Sequence, residues 1–73
     1  MVRKLNEIRA FIPGTILNVF VKVGDTVRKG DKLLVLDAMK MDNELVAPMD
    51  GTVKEVPIKK GQTVVKNELL VLL

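Results

Sequence analysis

Shifting the chain against itself by 37 positions aligns residues 10–36 with residues 47–73, and eleven of the 27 pairs are identical. They are Ala10/Ala47, Gly14/Gly51, Thr15/Thr52, Val19/Val56, Lys22/Lys59, Gly24/Gly61, Thr26/Thr63, Val27/Val64, Lys29/Lys66, Leu33/Leu70 and Leu36/Leu73. Ile16/Val53, Val21/Ile58, Asp31/Glu68 and Leu34/Val71 are conservative pairs. A duplication of this kind constrains the fold more than any local propensity, because whatever one half becomes the other must become as well. The punctuation repeats too. Pro13-Gly14 and Asp50-Gly51 read as turn dipeptides, Gly24 and Gly61 follow strand-like runs, and Gly30 is matched by Asn67, the side chain that next best tolerates positive φ.

Between these breaks lie short strand-forming runs: 7–12, 15–21, 26–27 and 32–38, then 41–47, 52–58, 63–64 and 69–72. No window carries a sustained 3.6-residue period bounded by caps. The apolar set is weighted toward β-branched residues, with 12 Val and 4 Ile beside 10 Leu. The expectation is an all-β fold: a flattened β-barrel or sandwich of two four-stranded antiparallel sheets related by a quasi-twofold axis, burying the aliphatic faces of both halves. Pro57 falls inside the run 52–58, where it removes a ladder donor, so it should face an edge or end its strand.

Seventy-three residues suffice for one small domain, and 1–73 reads as a single domain excised from a longer polypeptide. With no Cys and no His, neither a disulfide framework nor an imidazole or thiolate nucleophile can be built, and no metal-ligand set or catalytic constellation stands out. No apolar run approaches the roughly 18 residues of a membrane span and no signal peptide is recognisable, so a soluble protein of a reducing, cytoplasmic compartment without direct membrane insertion is expected. The net charge of +3 raises the question of nucleic acid. Its basic pairs, Arg3-Lys4, Arg28-Lys29 and Lys59-Lys60, are scattered, and only Phe11 and Phe20 are available to stack on bases, which argues against it.

One segment breaks the pattern. Asp37-Ala38-Met39-Lys40-Met41-Asp42 joins the halves between Leu33–Leu36 and Leu45–Val46, so it should be a hairpin. A two-residue hairpin turn requires positive φ and favours Asn-Gly, Asp-Gly or Gly-X, whereas here the centre is Met39-Lys40. Function is expected where local and global signals conflict. If Met39 and Lys40 form the turn, Ala38 faces Met41 and Asp37 faces Asp42, a like-charge pair that asks for Lys40 or a basic partner surface. The alternative is a solvated loop whose methionines fold back on the barrel end.

Asp37-Ala38-Met39-Lys40-Met41 followed by Asp42-Asn43 resembles the E/D-A-M-K-M-E/D-N attachment motif of biotinyl carrier domains, the biotin carboxyl carriers of biotin-dependent carboxylases and decarboxylases. Ala47-Pro48-Met49-Asp50-Gly51 is similar to that family's A-P-x-x-G element. Val23-Gly24-Asp25-Thr26-Val27 with Lys29-Gly30-Asp31 is similar to its V-G-D-x-V-x-x-G-D run. Phe11-Ile12 stand where the family usually has Pro-Met, and nothing in the first half resembles the protruding thumb of some bacterial acetyl-CoA carboxylase carriers.

The resemblance implies a flattened barrel with biotin amide-linked to Lys40, and Ala38, Met39 and Met41 as its immediate setting. Asp37 and Asp42 would serve recognition by the ligase or a partner. It implies three partners: a biotin protein ligase that supplies biotinyl-adenylate, a biotin carboxylase that uses ATP and bicarbonate, and a carboxyltransferase. An exposed lysine is cationic at neutral pH, so the ligase must help deprotonate it. Tethering would replace diffusion with a high effective concentration at both sites. Two rivals stand. A lipoyl-type carrier shares the fold, but its lysine typically sits between an acidic and a small residue rather than two methionines. A non-catalytic barrel-sandwich adaptor would keep the repeat without needing Met-Lys-Met.

Overall fold

In the computed structural model, residues 6–73 are described; Arg3, Lys4 and Leu5, the last being the repeat's counterpart of Asp42, lie outside them. Eight strands follow in order: β1 (Glu7–Arg9), β2 (Gly14–Val19), β3 (Thr26–Val27), β4 (Lys32–Ala38), β5 (Met41–Val46), β6 (Gly51–Thr52), β7 (Thr63–Val64) and β8 (Leu69–Leu72). All pairings are antiparallel, as expected.

One sheet has the order β5-β4-β2-β7. In place of a second four-stranded sheet, the equivalent strands form two two-stranded sheets, β1-β8 and β3-β6, with an isolated bridge between Glu55, past the end of β6, and Leu72 of β8. The register repeats with the sequence. Val35↔Glu44 is matched by Glu7↔Leu72, and Gly14↔Val64 by Val27↔Gly51. Even the bulge between Lys32 and Leu34 recurs between Ile8 and Arg9 in β1-β8. Loop bonds double likewise: Gly24 N–H to Val53 C=O (2.9 Å) has its copy in Gly61 N–H to Ile16 C=O (2.7 Å), and Gly30 to Ala47 (2.8 Å) in Asn67 to Ala10 (2.7 Å).

The core follows the repeat as well. Ile16 and Val53, Leu33 and Leu70, Leu34 and Val71, and Val27 and Val64 are buried as pairs, and no polar side chain is buried among the described residues. Each large aliphatic side chain so buried contributes about 1.5–3 kcal/mol, which lets packing stabilise so small a chain without disulfides.

Three expectations are corrected. The run 52–58 forms strand only at Gly51–Thr52 plus the Glu55 bridge, because Pro57 cannot continue the ladder. The runs 7–12 and 15–21 end at Arg9 and Val19, before the chain crosses between sheets. Gly14 and Gly51 are not positive-φ turn residues but the first residues of β2 and β6; within the repeated turns it is Gly24, Gly30, Gly61 and Asn67 that have positive φ.

Asn6 and Leu73 exchange backbone bonds, N–H to C=O, at 3.3 and 2.8 Å. They are the repeat's counterparts of Asn43 and Leu36, which pair in the β4-β5 stem. The two ends of the described chain therefore lie side by side. β2 runs away from the β4-β5 turn, from Thr15 beside Asp37 to Val19 beside Leu34, and the loop beyond it bonds to Val53. Lys54, next to Val53, donates to Leu72 at 2.7 Å, so Asn6 and Leu73 sit at the end of the barrel remote from that turn.

Candidate functional site

β4 and β5 are joined by a two-residue turn with Met39 at φ 53° and Lys40 at φ 64°. Positive φ at both central residues is the signature of a type I′ hairpin turn, here made without glycine, asparagine or aspartate. Each side chain held in this region costs about 1–2 kcal/mol. The stem is in the expected register: Ala38 faces Met41, Asp37 faces Asp42 and Leu36 faces Asn43.

Alternation along the stem divides these residues between two faces. Leu36 and Ala38 point into the core and are buried, which anchors β4 up to the residue before the turn. Asp37 is half-buried and Asp42 exposed on the opposite face. Beyond Ala38 the chain leaves the barrel: Met39 is 81% exposed, Met41 65%, and Lys40 is exposed between them. The methionines do not fold back onto the barrel. No ion pair or side-chain hydrogen bond to Lys40, Asp37 or Asp42 forms among the described residues, so the aspartates do not use Lys40 as their partner.

Asn43 braces the stem. Its side-chain Nδ2 donates to the carbonyl of Leu36 across the ladder (3.2 Å) and to that of Met41 on its own strand (3.1 Å). The sequence displayed Asn43 as part of the motif, but its bracing role depends on a cross-strand register that no local signal contains. Farther down the stem, Lys32 and Glu44 form an exposed ion pair at 3.0 Å. Phe11 is half-exposed and Ile12 packs against the core, so the replacement of Pro-Met leaves an aromatic ring at the surface.

The scaffold thus lifts the amine of Lys40 clear of its own surface at a hairpin apex. A profile of the biotin/lipoyl family described as "Biotin-requiring enzyme" matches residues 6–73. The chain belongs to this family. Among similar proteins, the biotin carboxyl carrier protein of Streptococcus mutans is 55% identical over 40 residues, covering 55% of this chain and 31% of its own. The methylmalonyl-CoA decarboxylase gamma subunit of Propionigenium modestum is 62% identical over 37 residues, covering 51% of this chain and 28% of its own. The matched segments span about a third of the length of these relatives.

Two solved structures superpose on nearly the whole chain. A single-chain, multi-domain long-chain acyl-CoA carboxylase matches with a TM-score of 0.86 at 30% identity, over 99% of this chain and 7% of that one. The lipoyl domain of the 2-oxoglutarate dehydrogenase complex from Azotobacter vinelandii matches with 0.79 at 27% identity, over 92% and 94%. The expected barrel-sandwich fold is therefore that of domains which carry such groups.

Proposed function

We propose that Lys40 is the attachment point of covalent biotin and that this domain is a biotin carboxyl carrier. In this reading it is modified by a biotin protein ligase and serves a biotin carboxylase and a carboxyltransferase of a carboxylase or decarboxylase. The observation that carries the reading is the apex geometry: Lys40 is exposed at a two-residue turn, free of internal partners among the described residues, on a stem anchored by buried Leu36 and Ala38.

The residues present fit that group. Nζ of Lys40 has an open approach for an acyl donor; after losing a proton to the ligase it can take the acyl carbon of an activated biotin carboxylate, whose leaving group departs with the bonding electrons. Met39 and Met41 flank the amine with flexible, polarizable side chains suited to pockets on more than one partner. The rigid stem keeps the modified side chain on one side of the domain, and the paired chain ends lie on the other. Biotin, when bound, supplies the atom that carries the carboxyl group between sites.

A lipoyl carrier is the second reading, favoured by the superposition on the lipoyl domain, with Met-Lys-Met as the feature against it. Expression with a biotin ligase followed by intact-mass analysis separates the readings. One biotinyl group mapped to Lys40 is expected, and Lys40→Arg, a surface change costing about 0.5 kcal/mol or less, should fold and remain unmodified. A lipoyl adduct, no adduct, or biotin on the Lys40→Arg protein would overturn the assignment.

A further inference from the structure

Gly14 and Gly51 are equivalent residues of the two halves, and each opens a strand. Their surroundings differ, because the repeat counterparts of Asp37 and Ala38, which lie against Gly14, would be positions 74 and 75, beyond Leu73. A Cβ placed on Gly51 would meet nothing nearer than the Leu73 Cβ at 3.7 Å, an ordinary contact. A Cβ placed on Gly14 would stand 2.4 Å from the backbone oxygen of Asp37 and 3.1 Å from the Ala38 Cβ. Neither glycine has positive φ, so conformational freedom explains neither of them. At Gly14 the missing side chain is needed for space, and the space is taken by the two residues that precede the Met39-Lys40 turn.

We infer that Gly14 is a positioning residue for Lys40: by lacking a side chain it lets β2 close on β4 at Asp37 and Ala38, and so sets where the hairpin apex stands relative to the barrel. The inference rests on the reading of Lys40 as the modified residue. The obstructing atom is backbone, which no rotamer change can move. Restoring even a 3.0 Å contact requires the stem to shift by about 0.6 Å. Reacting groups must be held within roughly 0.5 Å of productive geometry, and a misplacement of about 1 Å can cost 100-fold in rate. Gly51 supplies an internal control, since the same substitution at the equivalent backbone position touches only the end of the barrel remote from Lys40.

The test compares Gly14→Ala and Gly51→Ala with the parent protein, each presented to a biotin ligase with biotin and ATP. Amide chemical shifts and hydrogen exchange of 37–43 are recorded in parallel. Gly14→Ala is expected to perturb the amides of 37–43 and to lower the biotinylation kcat by about tenfold to 100-fold with a smaller change in KM. Gly51→Ala should stay within about twofold of the parent. Equal kcat for the two variants, or unperturbed 37–43 amides in Gly14→Ala, would overturn the inference. If the parent protein itself accepts no biotin, the reading of Lys40 fails, while the amide data still decide whether Gly14 sets the stem. Should Gly14→Ala be unfolded, the comparison is repeated in trimethylamine N-oxide, which favours the compact state. Failure to fold even there would make Gly14 a requirement of the whole barrel and would equally overturn its assignment to the hairpin.

Discussion

Phe20 and Pro57 occupy equivalent positions in the two halves, and Phe20 alone can donate: its N–H meets the carbonyl of Leu33 at 2.9 Å, whereas Pro57 has no N–H to offer the equivalent Leu70. The β2-β4 pairing, bulged between Ile16 and Asn18, is thus prolonged past Val19 by a bond that the Glu55–Leu72 bridge region of the other half lacks. Phe20→Pro should therefore cost about 1–3 kcal/mol beyond Phe20→Ala, since it leaves the Leu33 carbonyl without its partner. Pro57→Phe should stay within about 1 kcal/mol of the parent, because the regained bond is offset by a freer unfolded chain. Thermal melts measure both. A Phe20→Pro midpoint equal to that of Phe20→Ala would show that the bond contributes nothing.

The loops around β3 and β7 hold the same backbone with different side chains. In the second half Gln62 Nε2 donates to Glu68 Oε2 at 3.2 Å, while Gln62 Oε1 and Glu68 Oε1 accept from Lys59 and Val65 N–H. In the first half the shorter Asp25 and Asp31 make the equivalent backbone bonds from Lys22 and Arg28, but they are both carboxylates and have no bond to each other. The double change Asp25→Gln with Asp31→Glu should install the missing bond and raise stability by about 0.5–1 kcal/mol, or several degrees in Tm for a domain this size. A lower Tm would mean that the two loops are not interchangeable.

Met39 and Lys40 hold a turn that their side chains disfavour. Met39→Asn places a residue tolerant of positive φ at the first central position and should stabilise the domain by about 0.5–1 kcal/mol. Under the proposed function it should also slow biotinylation, because one of the two flanking methionines is gone. A variant both less stable than the parent and modified as fast would contradict the turn geometry and the role of Met39 together.

How much of this was legible in the sequence depends on how local each determinant is. The Asp37↔Asp42 register could be read because a two-residue turn fixes every pair below it, and the Gly24/Gly61 and Gly30/Asn67 turns because positive φ restricts composition. The length of the run 52–58 was overread: its residues favour strand, but a ladder needs a donor at Pro57. Gly14 was visible as punctuation and misread as a turn residue, because crowding against the Asp37 carbonyl belongs to the packing of two strands and not to either one. Lys40 stood out because its turn obeys no local rule.

Asp37 and Asp42 face each other on the stem, and the alternation of antiparallel pairs places them at a non-hydrogen-bonded position, where facing side chains approach most closely. Neither has an ion-pair partner among the described residues. Repulsion between two charges disappears when either is removed, whereas attraction of both to a basic partner surface is lost one charge at a time. Asp37→Asn and Asp42→Asn should thus each raise stability by about 0.2–1 kcal/mol, with the double variant little more stable than either single one. Biotinylation at low salt should slow further with each substitution, mainly through the association rate, and the differences should shrink as salt screens the charges. Additive stabilities would argue against a direct repulsion, and a rate insensitive to both changes at low salt would remove the aspartates from partner recognition.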